Sequence, residues 1–132
     1  MSLFRKIFGL GEQPARLAPG RGWTVPVVGE SRCQADLQML YRKNGGADHD
    51  LKVDAVLAPE DDNAFDAKAV RVEIGARTVG YLERALAEQY RAALGRTAGE
   101  CSAKIVGGFE LEDGSSAHFG VKLNLAWPPR QK

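Results

Sequence analysis

The stretch AVRVEIGARTVGYL, residues 69–82, decides how this chain folds. Two runs rich in valine, isoleucine and threonine flank Gly75–Ala76. Strand-forming runs joined by two residues, the first a glycine, read as a β-hairpin with a Gly-first turn. Downstream, Leu86, Ala87, Tyr90 and Leu94 share one face of a helix predicted over Glu83–Leu94, and Gly95 ends it. Glu100–Val106 and His118–Ala126 read as two closing strands around the Gly-rich turn GGFELEDGSS. Upstream, APEDDNAFDAK is a loop. Before it, Leu51, Val53, Ala55 and Leu57 alternate with Lys52, Asp54 and Val56, the pattern of a half-buried strand.

Further upstream, Cys33, Leu37, Leu40 and Tyr41 recur at helical spacing. The spacing predicts a helix over Ser31–Lys43, capped by Ser31 and stopped by KNGG. WTVPVVG, residues 23–29, is the first strand, with Pro26 placing it at an edge or near a strand start. The order is β-α-β-β-β-α-β-β, without the strand–helix alternation that builds parallel sheets. The class is therefore mainly β: a small OB-like antiparallel β-barrel with two helices, over residues 23–127. Residues 1–22 combine Leu3, Phe4, Ile7 and Phe8 with Arg5 and Lys6, then the Gly/Pro-rich GEQPARLAPGRG. They read as a flexible tail and linker. Residues 128–132 read as a frayed end.

A chain of 132 residues, 44% hydrophobic and 27% charged, suits one soluble domain. It holds no apolar run of membrane-spanning length and no signal-peptide core. Two cysteines make no disulfide framework, so a reducing, cytoplasmic location is expected. The net charge of +1 excludes a strongly basic nucleic-acid coat but permits a local basic site. Charge is blocked along the chain: residues 48–66 carry −6 and residues 67–96 carry +3.

The residues exclude several chemistries. Cys33, His49, Cys101 and His118 are scattered, without the close pairs that zinc sites use. The Asp61-Asp62-Asn63 run fails calcium-loop spacing: the sixth position is Asp66 where glycine is needed, and the twelfth is Val72. No phosphate-binding loop and no G-x-S-x-G turn occurs. No cofactor, metal or enzymatic activity is expected. From the residues alone, the chain is a small β-rich binding module.

One constellation says more: VVGESRCQ at 27–34, followed by PEDDNAFDAKAVRVEIGARTVGYLERALAEQY at 59–90. It resembles the HIRAN family, with its VVG-x-S first strand, P-E-x-x-N-x-[FY]-D loop, VGYL strand end and A-x-x-Y helix. Members stand alone in bacteria or precede SWI/SNF-type helicases that remodel stalled replication forks. The resemblance implies an OB-like barrel that captures single-stranded DNA, at a free 3′ end in some members, with a role in DNA repair. It assigns a nucleic-acid-binding site to Phe65, Asp66, Tyr81 and Arg84, with Phe119 as a second wall and Arg32 at the first-strand end. In eukaryotic end-binding members an Arg and then a Tyr grip the terminal nucleotide, where this chain has Ser31 and Arg32. Phe65 stands for a loop tyrosine and Tyr81 for a histidine. Physically, an aromatic plate beside a carboxylate can stack a base and accept the terminal hydroxyl's proton. Tyr81 and Arg84 are expected to hold a phosphate. The rival expectation, favoured by the near-zero net charge, is a protein-interaction module docking a partner on the barrel face. An accessory role beside a helicase or hydrolase is the third.

Overall fold

The computed structural model describes residues 13–46, 50–109 and 111–132. Its strands are β1 (Ala15–Arg16), β2 (Val25–Val28), β3 (Leu51–Glu60), β4 (Ala69–Ile74), β5 (Arg77–Leu82), β6 (Gly99–Val106) and β7 (Gly120–Asn124). The helices are α1 (Gln34–Lys43) and α2 (Arg84–Leu94), with one 3-10 turn at Glu30–Arg32. Strand order is β1-β6-β3-β4-β5-β2-β7, and β6 also pairs with β7. Six antiparallel strands thus close into a barrel, and β1 adds a parallel pairing at the start of β6.

Alternation holds along β6 but not along β3, where Ala55–Ala58 are all buried, or along β4, where only Arg71 is not. β6 is buried at every odd position and half-exposed at every even one. Leu57, Val70, Val72, Val79, Ala103, Ile105 and Leu123 are fully enclosed in the barrel interior. α1 buries Leu37, Leu40 and Tyr41 against this core, and α2 buries Ala87 and Tyr90. The Tyr90 hydroxyl donates to the Thr97 carbonyl at 2.8 Å, so the buried phenol is satisfied. Burial pushes its pKa up and pushes the Cys101 thiol up to about 12, so Cys101 is an inert core thiol.

Several expectations change. The hairpin turn keeps Gly75 first as expected, and positive φ at both Gly75 (57°) and Ala76 (64°) makes it type I′. α1 starts at Gln34, and Ser31 lies in the 3-10 turn without capping it. β3 runs to Glu60 because Ala58, Pro59 and Glu60 pair with Arg71, Val70 and Ala69. Pro26 is the second residue of β2, near the strand start as expected. The first half of β2 pairs only with β7 and the second half only with β5. Pro26 therefore has a strand neighbour, Lys122, on one side only.

The largest correction concerns the two ends. Within the expected linker, Leu17 and Ala18 are buried, and β1 pairs with Gly99 and Glu100. The expected frayed end pairs in turn with that segment. Ala18 N–H donates to Arg130 O and Lys132 N–H to Arg16 O, at 2.9 and 2.8 Å. The physical reason is mutual. Each segment satisfies the other's backbone groups, and Leu17 fills the space that a side chain at Gly99 would need. Residues 1–12, including Phe4 and Phe8, and His49 lie outside the described residues.

Candidate nucleic-acid interface

The loop from Asp61 to Lys68 is built around Asn63. Its side-chain oxygen accepts the N–H groups of Phe65 and Asp66, at 2.8 and 3.0 Å, and its amide donates to Glu60 Oε1 at 2.7 Å. Asp66 Oδ1 in turn accepts the Lys68 N–H at 2.9 Å. These Asx-type bonds replace a strand partner and fix the loop backbone. They leave Phe65 displayed outward with 91% of its surface exposed.

A cleft of about 360 Å³ opens beside this loop. Five of the six expected residues line it: Arg32, Phe65, Asp66, Tyr81 and Arg84. Asn63, Ala69 and Leu82 line it too and were not foreseen. Asn63 had a readable signal, an asparagine two residues before an aromatic in a polar turn. Ala69 and Leu82 are strand ends whose place depends on barrel closure.

Phe119 does not belong to the cleft. Its ring packs on Tyr41, with centroids 5.2 Å apart. Gln34 clamps its backbone, donating to Phe119 O at 2.9 Å and accepting Phe119 N–H at 2.8 Å. The reason is topological. Phe119 precedes β7, whose first residue Gly120 pairs with Val106 at the end of β6. The cleft loop follows β3 beyond the position that pairs with Gly99 at the start of β6.

The Tyr81 hydroxyl donates to Glu60 Oε1 at 3.0 Å. Its one proton is committed, so it cannot also donate to a phosphate, and its ring is what it offers the cleft. Burial raises the Tyr81 pKa, and the Glu60 carboxylate raises it further. Burial alone would raise the Glu60 carboxyl, but hydrogen bonds from Asn63, Arg71 and Tyr81 hold it below the usual range. Arg71 bridges Glu60 and Glu73, both at 2.6 Å. Asp61 pairs with Arg91, and with Arg96 at 2.9 Å. The acidic residues flanking the cleft are thus largely neutralised internally.

Arg84 opens the first turn of α2 and is 71% exposed along its side chain. Its Nε lies 3.7 Å from Asp66 Oδ2, and its Nη2 reaches the Phe65 carbonyl at 3.4 Å. These are weak uses of a five-donor group, set against the positive end of a helix dipole. Among the described residues, Arg32 and Lys68 side chains have no hydrogen-bond or ion-pair partner. The site offers one exposed aromatic ring, one carboxylate oxygen clear of the loop's own hydrogen bonds, and two under-used guanidinium groups. No metal-ligating cluster occurs among the described residues. No family model, no curated protein and no solved structure matches this chain.

Proposed function

We propose that the cleft binds the end of a single-stranded DNA, as the HIRAN resemblance implies, and that the chain is a binding module and not an enzyme. The observation that carries this reading is the meeting of Phe65, Asp66 and Arg84 at one rim, with Arg32 in the same cleft. Phe65 is the stacking plate for a base. Asp66 Oδ2 accepts the terminal 3′-hydroxyl and repels a 3′-phosphate. Arg84 and Arg32 take the adjacent phosphates, each as a fork of donors. Pairing of Glu60 with Arg71, and of Asp61 with Arg91 and Arg96, removes most of the charge that would oppose a polyanion.

The test is a titration of short single strands with free and 3′-phosphorylated ends at two salt concentrations. Tighter binding of the free end is expected, with affinity falling as salt rises. Asp66→Ala is expected to erase the preference for a free end, and Arg84→Ala to flatten the salt dependence by about one phosphate. Absence of any binding at low salt overturns the reading. An affinity without salt dependence redirects it to the protein-interaction module.

A further inference from the structure

The barrel wall carries a second cationic feature that the cleft does not include. Register pairs Lys52 of β3 with Lys104 of β6, and Lys104 with Lys122 of β7. Their strand neighbours Leu51, Ala103, Ile105, Val121 and Leu123 are buried, so all three lysines leave the wall on its outer side. Neighbouring strands lie about 4.8 Å apart, and like charges directly opposite one another destabilise a sheet. Among the described residues, an acidic partner relieves only one member of the row. Lys104 reaches Asp50 at 3.6 Å, while Lys52 and Lys122 have no carboxylate partner among the described residues. Farther along the same face, Arg16 is shared by Asp54 (3.4 Å) and Glu100 (3.3 Å).

An aromatic ring completes the feature. Lys104 Nζ sits 5.3 Å from the centroid of Trp23. Trp23 also walls a groove of about 330 Å³ with Lys52, Asp54 and Ser102. The row is continuous with the cleft. Lys122 is opposite Pro26 on β2. Two residues along the same outer face is Val28, 42% exposed, and Val28 is opposite Tyr81 of the cleft wall. That path is two strand spacings and two residues long, about 16 Å. No other ion pair crosses it among the described residues.

We infer that Trp23 and the row Lys52, Lys104 and Lys122 form a second contact for the same single strand. A strand whose end sits in the cleft runs over Pro26 and Val28. It lays phosphates on the lysines and a base against Trp23. This inference rests on the proposed end-binding function and adds a length requirement to it. Cationic grooves that track a backbone, with aromatic rings at intervals, are the general means of holding single strands.

The test compares oligothymidylates of two and of about ten nucleotides, both with free 3′ ends, on the full chain. In wild type the longer strand is expected to bind tighter. The triple variant K52Q/K104Q/K122Q is expected to lose that gain, roughly tenfold at low salt, and to lower the salt slope by about 2. Dinucleotide binding should be unchanged. Removing like charges does not threaten the sheet, so the variant is expected to melt no lower than wild type. In a Trp127→Phe background, Trp23 emission should change with the longer strand only. Equal binding of both lengths in wild type overturns this inference and leaves end binding standing, as does an unchanged triple variant. A longer strand held through the lysines while Phe65→Ala has no effect overturns the reading of the cleft and leaves the row. No binding of either strand overturns both.

Discussion

Phe65 and Phe119 show two fates for an aromatic residue in a polar stretch. Phe65 is held by its backbone: Asn63 and Asp66 shape the loop, and the ring itself contributes nothing to the core. Phe119 is held by backbone and ring together, between the Gln34 amide and Tyr41. The difference teaches that exposure has to be built. An apolar ring left outside costs solubility and returns no packing, so the hydrogen bonds that fix its loop are what keep it available. A ring that finds a neighbouring helix is absorbed into the structure instead.

That contrast can be broken by substitution. Phe119→Ala is expected to cost about 2 kcal/mol of stability, less than the full cost of a buried phenylalanine because this ring is only half-buried. Strand binding should survive, and chemical denaturation beside a binding titration separates the two. Phe65→Ala should do the reverse, costing about 2 kcal/mol of single-strand binding with stability nearly unchanged. A stability loss as large as that of Phe119→Ala would mean that Phe65 is a packing residue. Asn63→Ala removes three loop hydrogen bonds and is expected to cost about 1 kcal/mol of stability. It should also weaken binding through the misplaced Phe65, although Asn63's own hydrogen bonds are made to the loop and to Glu60 at the end of β3.

The smallest effect is a pH dependence confined to the loop side. The Glu60 carboxyl is held below its ordinary value of 4.5 in the folded state. Its contribution is therefore full above that value and lost as pH falls through the depressed range. Glu60→Gln should remove this part of the acid sensitivity, so the variant's stability falls less steeply than wild type's below about pH 4.5. Parallel curves for the two proteins would show that the Glu60–Arg71 pair contributes nothing to stability.

How much was legible follows from the range of the forces involved. The hairpin at 69–82, the apolar face of α1 and the Gly95 stop depend on neighbours in sequence, and each appears where local pattern puts it. The cleft residues 63–84 come from one loop, one hairpin and the first turn of the helix that follows it, so their convergence could be read from topology. Phe119 could not be placed, because its partners Gln34 and Tyr41 are about 80 residues away. Leu17 was hidden for the same reason. Its burial depends on Gly99 and on Gln131 at the far end of the chain. The Tyr81 phenol was misassigned because Glu60 lies in a segment read as loop, whereas it ends a strand whose register brings it into reach.

The pairing of Val25 with Leu123 joins residues nearly a hundred positions apart. During synthesis, β2 must therefore wait for almost the whole domain before its first half has a partner. While it waits, it is an open edge carrying valines at 25, 27 and 28, the kind of strand that other chains recruit. Pro26 interrupts that edge with a residue that has no N–H to donate. The proline that complicates the strand in the finished barrel thus acts as its guard against aggregation before the barrel closes.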